Sequence, residues 1–346
     1  MNKVSIQNFF EDFQIGQTFD CPTPRVLTNA DRVAYIAFTG DRTPRFCNAK
    51  GLIHPLIVFH TVLGQTVRQI SLNAQANLGY AEMIWGQAVS IGDEIRTKAR
   101  IVGLKENSNQ KTGIVYVKTT AVNQWGETVL EYYRWVMVMK NREDATSFLR
   151  DPVVPKLTTA VAAERLPKHS PDQSCSKVTG GRFFFEDYQI GERVFHIDGT
   201  TINASDHMSF TRLYQNTARV HFDSILTCGK PLVYGGLPLS LGYAQAFNGL
   251  ENRLGVVAVN GGTHSNPVHS GDTLYSFTEV LEKAELTERL GALRLRLVVV
   301  KNEQPHMVKD FRIKQPDSQT GKEVYNSNVV LDLDYWEPMA KAVFGK

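Results

Sequence analysis

The sequence predicts an α+β fold built twice over, each half a nearly all-apolar helix wrapped by a long antiparallel sheet. Three observations predict it: a motif repeated at a constant offset, the same order of elements after each copy, and one helix per copy too apolar for a surface. Residues 9–16 read FFEDFQIG and residues 184–191 read FFEDYQIG, identical at seven of eight positions and 175 residues apart. The same offset relates Asp31 to Asp206, each just before an amphipathic run. A constant offset over that distance marks a tandem duplication. It divides the chain into an N-terminal domain at 5–142, a linker at 143–180 and a C-terminal domain at 181–335. The linker holds Pro152, Pro155, Pro167 and Pro171 among Ser, Thr and Ala, which suits a long surface connection.

In each copy a short strand follows the FFED motif, at 17–19 and at 193–197. The run Thr28-Asn29-Ala30-Asp31 then supplies capping chemistry for a helix to about Phe38, and Asn203-Ala204-Ser205-Asp206 does the same later. After Pro55 comes the apolar run LIVFHTVLGQTVRQI, and its counterpart is LPLSLGYAQAF at Gly236. Runs apolar on most faces belong inside. Strands are expected at 89–93 and 268–272, each ending in a Gly-Asp turn. Residues 114–122 and 127–139 read as two long strands about the loop Asn123-Gln124-Trp125-Gly126. Residues 293–299 alternate as LRLRLVV, a half-buried antiparallel strand, and 329–335 close the sheet.

Composition excludes several classes. The 346 residues suit about two domains of roughly 100–200 each. A net charge of +3 without a run of Lys or Arg gives no footprint for nucleic acid. Four cysteines with no CxxC pair do not staple a fold of this size, so a reducing, cytoplasmic setting is expected. The opening MNKVSIQNFFEDF is unlike a signal peptide, and no apolar run approaches the roughly 18–20 residues of a membrane span. No His, Cys and Asp cluster has metal spacing, and no phosphate loop or cofactor motif is present.

The residues that carry chemistry lie where the first helix of each copy ends. The later copy reads FTRLYQNTARVH at 210–221, with Asn216 and His221 five apart; the earlier reads YIAFTGDRTPRF at 35–46, with Asp41 and Phe46 in those slots. Only the later copy keeps a group that moves a proton near neutral pH.

These motifs resemble the MaoC-like, (R)-specific enoyl-CoA hydratases in their fused, double hot-dog form, whose pattern is Gly-Asp-x-Asn-Pro-x-His. The first copy matches at Gly40, Asp41 and Pro44 and has Phe46 for the histidine. The second matches at His221, with Asn216 for the aspartate and Arg219 for the proline. The runs LNAQANLGYAE (72–82), GLKENSNQKTG (103–113) and LYQNTARVHFD (213–223) resemble, more narrowly, the mesaconyl-CoA hydratases, also called β-methylmalyl-CoA dehydratases. The resemblance implies reversible hydration of a 2-enoyl-CoA thioester at one working site in the C-terminal half. His221 would carry the proton, Asn216 would hold water by hydrogen bonding and Asp223 could assist.

The family's oxyanion donor is an amide at the start of the central helix. In the second copy that place is Val233-Tyr234-Gly235-Gly236, and in the first Pro55 has no N–H to give. Arg212, Arg219 and Arg45 are candidates for the free carboxylate of a dicarboxylic acyl group. Lys105 and Lys111 suit a solvated hairpin better than phosphates, and His54 and His60 a structural role. The implied partner is an acyl-CoA substrate, and a further homodimer stays open. An acyl-CoA thioesterase and a non-catalytic acyl-CoA binding protein are the alternatives, because the fold alone does not fix the reaction.

Overall fold

The computed structural model describes residues 8–21, 23–141, 151–167 and 176–342. Each FFED motif forms a 3₁₀ turn (Phe10–Asp12 and Phe185–Asp187) in which the aspartate closes back on the backbone N–H of the preceding phenylalanine. The duplication is therefore structural as well as textual.

The first half runs β1 (Thr18–Asp20), β2 (Arg25–Val26), α1 (Asn29–Thr39) and the single turn α2 (Pro44–Cys47). It continues with α3 (Pro55–Thr66), β3 (Ala74–Trp85), β4 (Glu94–Glu106), β5 (Thr112–Val122) and β6 (Thr128–Met139). After the short α4 (Ser176–Thr179), the second half runs β7 (Arg193–Thr201), α5 (Ala204–Leu213), α6 (Gly236–Gln245), β8 (Ala258–His264), β9 (Thr273–Glu285) and β10 (Leu290–Lys301). A small ribbon, β11 (Lys314–Pro316) with β12 (Glu323–Tyr325), precedes the closing strand β13 (Val329–Ala340). Helix α1 starts with the expected capping box, Asp31 accepting from the Thr28 backbone and hydroxyl.

Both apolar helices lie in the core: every residue of α6, and every residue of α3 after Pro55, is buried. One continuous antiparallel sheet wraps them in the order β1-β4-β5-β6-β3-β8-β13-β10-β9-β7, with β2 beside β4. This is the double hot-dog that the resemblance implies. The two halves join through β3 and β8, with Tyr80 opposite Gly262 and Met83 opposite Val259.

Four readings need revision. The strands expected at 89–93 and 268–272 are not strands: Ser90 makes one isolated bridge, and the Gly-Asp pairs turn the chain into β4 and β9. Asp93 and Asp272 cap those turns by accepting from the Ser90 and His269 N–H groups, so their carboxylates serve the turn rather than a ladder. β3 and β8 carry Ala, Asn and Gly where β-branched residues are the usual signal, and their pattern did not mark them as strands. The closing strand extends past Tyr335 to Ala340. Last, the proline-rich connection is not wholly superficial. Although the expected linker falls partly outside the described residues, its stretch at 151–167 buries Val161 and Leu166 against Val257 and Trp336, and the Trp336 indole donates to the Val161 carbonyl at 3.0 Å.

Candidate active site

Helix α5 ends in a turn that sets the aim of the next residues. Gln215 takes a left-handed backbone (φ 54°), its N–H donates to Arg212, and the Asn216 N–H reaches back to Thr211 at 3.1 Å. That pair of bonds is a Schellman closure, which stops the helix and turns Asn216 inward. Arg25, itself paired with Asp31, donates to the Leu213 carbonyl at the same helix end. A 3₁₀ turn (Arg219–His221) then carries His221, whose carbonyl accepts from His207 Nε2 at 3.1 Å.

Asn216 and His221 both line a cavity of about 350 Å³ between the halves, together with Tyr234, Gly235, His264, Tyr80, Asn77 and Arg134. His221 is buried, and its Nδ1 lies 2.8 Å from the Leu232 carbonyl. A carbonyl only accepts, so Nδ1 carries the proton and Nε2 keeps its lone pair. Burial pushes the imidazole down to about 4, with His207 adding in the same direction and the Leu232 carbonyl opposing. His221 is therefore a neutral base at physiological pH. The Asn216 side-chain oxygen accepts from the Ala218 N–H at 3.2 Å, which leaves its NH₂ without a partner among the described residues.

Gly235 is the cap of α6, and neither its N–H nor that of Gly236 has an acceptor among the described residues. Two free donors at the positive end of a buried helix form a site for negative charge. A side chain at 235 would not fit, since a Cβ there would stand 2.7 Å from the His264 ring. The Tyr234 hydroxyl meets His60 Nδ1 at 3.0 Å, and His60 Nε2 meets Ser240 at 2.7 Å, so the helix of the first half braces the wall of the cavity.

Of the residues singled out in the sequence, the cavity brings together His221, Asn216, Tyr234 and Gly235, with Gly236 directly behind. Arg212, Arg219 and Asp223 lie outside its lining. Arg212 is exposed over the Phe222 ring, and exposed Asp223 accepts from the Ile225 and Leu226 N–H groups, which ties its carboxylate to a turn. Arg45 borders a separate, smaller cleft of about 40 Å³.

The corresponding place in the first half is filled. Phe46 packs on His54 with ring centroids 4.6 Å apart, and His54 Nδ1 takes the Leu56 N–H, the donor next to Pro55. Asp41 is buried 3.2 Å from Arg253; burial alone would raise its carboxyl, but His54, Arg253 and Thr43 hold it below its ordinary value. Only about 10 Å³ of space is left there. His60 lies within α3 as expected, whereas His54 precedes the helix and caps it, and both rings hydrogen-bond within the fold.

Sequence reasoning missed His264, Tyr80, Asn77 and Arg134. The first three sit on β3 and β8, the strands without a strand signature. Arg134 had a signal: in β6 the inward positions run Leu130, Tyr132, Arg134, Val136, so an arginine stands in the apolar row.

Known proteins resemble this chain over nearly its whole length. Residues 3–310 match the family model for mesaconyl-CoA hydratase. The chain is 42% identical to a β-methylmalyl-CoA dehydratase of Chloroflexus aurantiacus, over 96% of this chain and 97% of that one. It is also 42% identical to a mesaconyl-CoA hydratase of Cereibacter sphaeroides, over 96% and 98% of the two chains. A MaoC domain protein of Chloroflexus aurantiacus superposes with a TM-score of 0.89 at 40% identity over 99% of both chains. A double hotdog protein of Mycobacterium tuberculosis shares the fold, with a TM-score of 0.76 at 24% identity over 97% of this chain and 99% of that one. With a cavity that gathers a neutral histidine base, an amide and the free end of a buried helix, this chain belongs to the mesaconyl-CoA hydratase family.

Proposed function

We propose that this protein is a hydro-lyase that adds water reversibly across the double bond of a 2-enoyl-CoA thioester, interconverting mesaconyl-CoA and β-methylmalyl-CoA. The observation that carries the reading is His221: its Nδ1 is committed to the Leu232 carbonyl, and its Nε2 is left as a base in a cavity lined by Gly235, with the Gly236 N–H directly behind. A thioesterase would want a carboxylate on the central helix, and Gly236–Gln245 has none.

In the hydration direction, water sits between the Asn216 NH₂ and His221 Nε2. The imidazole takes one proton as the oxygen bonds to the β-carbon. The π electrons move to the thioester carbonyl, and the oxyanion is met by the Gly235 and Gly236 N–H groups. The imidazolium then returns the same proton to the α-carbon, so the hydroxyl and the hydrogen added are together one water. One base serves both transfers, which suits a site where an amide stands in the carboxylate's place. The division into units at 5–142 and 181–335 belongs to this reading, with the first unit as scaffold and cavity wall.

The test follows the absorbance of the conjugated thioester on mixing the protein with mesaconyl-CoA, beside a His221→Ala variant and a free-thiol assay. Loss of the enoyl signal without thiol release, reduced by about 10²–10⁴-fold in the variant, is the expected result. Thiol release would make it a thioesterase, and tight binding without turnover a carrier.

A further inference from the structure

Arg134 is a buried cation with no counter-charge among the described residues. It is 1% exposed, and among the described residues no carboxylate lies within ion-pairing distance. Its hydrogen bonds go to neutral oxygens: Nη2 to Thr66 at 2.9 Å and Ser71 at 3.4 Å, and Nη1 to Asn77 at 3.4 Å. Among the described residues the Nε–H has no partner, and neither does the buried NH₂ of Asn77, whose oxygen faces the guanidinium. A guanidinium carries five N–H donors, so Arg134 has more donors than the fold uses. Unpaired buried charge is costly to keep, and the usual remedy is an anion. Both residues line the same cavity as His221 and Asn216.

We propose that Arg134, with Asn77 beside it, receives the free carboxylate of a dicarboxylic acyl-CoA and so selects that substrate class. This rests on the acyl-CoA reading given above. It moves the role from Arg212, Arg219 and Arg45, which stand outside this cavity, to an arginine on the inward face of β6. A carboxylate brings the missing charge and lone pairs for the donors the fold leaves over, for which the planar guanidinium is suited and a lysine is not. A substrate ending in a methyl group would leave those donors unmet, and unmet buried donors are what makes a polar pocket reject an apolar analogue.

The test compares binding of succinyl-CoA and butyryl-CoA, which share the CoA arm, differ in the carboxylate and cannot be hydrated. Calorimetry on the full chain is expected to show the wild type preferring succinyl-CoA by 30-fold or more, and Arg134→Met to abolish that preference. Affinities for the two ligands that fall together in the variant would assign Arg134 to the CoA arm or the fold, and overturn the proposal. An unchanged preference would overturn it as well. If Arg134→Met does not fold, Asn77→Leu is expected to cut the preference about tenfold, and a retained preference there counts against the proposal. Since neither ligand reacts, a wild type that binds with this preference but fails to hydrate mesaconyl-CoA would remove the hydratase reading and leave Arg134 in place.

Discussion

His221 shows how little a residue's type says about its use until its partners are known. The Leu232 carbonyl fixes the proton on Nδ1, and burial lowers the imidazole to about 4. The imidazole is thus neutral near pH 7, the form the proposed base needs, and it stays neutral well below the ordinary histidine range. We expect kcat/KM for hydration to hold level from pH 8 to about 6, with its acid limb well under 6.5. A limb centred near 6.5 would mean an imidazole in water-like surroundings and would contradict the burial. In the proposed mechanism Asn216 contributes position rather than protons. Asn216→Ala should lower kcat by about 10–100-fold while the acid limb stays where it is, since no titrating group is removed; a limb that moved with the substitution would show Asn216 tuning the base.

At the scale of elements, the site depends on how closely α3 and α5 approach. Gly64 of α3 lies against the backbone at the end of α5, and a Cβ there would fall 1.7 Å from the Tyr214 carbonyl oxygen. No rotamer relieves a clash with backbone, so Gly64→Ala must push the end of α5, and Asn216 with it, away from the cavity. We expect a cost of about 1–3 kcal/mol in stability, seen as a fall in Tm, and a larger proportional loss of kcat. A variant that lost stability but kept full kcat would show that the turn at Gln215 holds Asn216 by itself. Much of this was legible beforehand: capping at Thr28, the two apolar helices and the five-residue spacing of Asn216 and His221 all come from local chemistry. β3 and β8 were not legible, because an Ala- and Gly-rich strand is held by its neighbours rather than by its own preference.

The whole molecule stores a set of buried neutral histidines. Burial lowers His54, His196, His221 and His264 to about 4 and His60 to about 3. Folded values below the ordinary 6.5 mean that the unfolded chain binds protons first as pH drops. Their stabilisation is complete above pH 6.5 and is lost as pH falls toward 4, at up to about 1.4 kcal/mol per pH unit for each. Glu337 opposes them. Burial raises its carboxyl to about 7 from 4.5, so its contribution is present below 4.5 and is lost as pH rises through 7. Five groups outweigh one, and Tm should fall steadily from pH 6.5 to pH 5. A Tm that is flat over that interval would mean these imidazoles take up protons inside the fold.

By itself the sequence determined the duplication, the α+β class, the two core helices and the half that keeps the histidine, because each is written in local pattern or in a repeat at fixed offset. Phe46 and Pro55 also marked the place in the first copy that the structure shows to be filled. Tertiary structure alone decided which arginine faces the cavity. Arg212 and Arg219 lie near His221 in the chain, yet the turn after α5 leaves both outside the lining, while Arg134 reaches it from a strand of the other half. Proximity along a chain fixes distance only within an element. Which side chains share a cavity is set by how the sheet closes, and the β3–β8 pairing that closes it joins residues more than 170 positions apart.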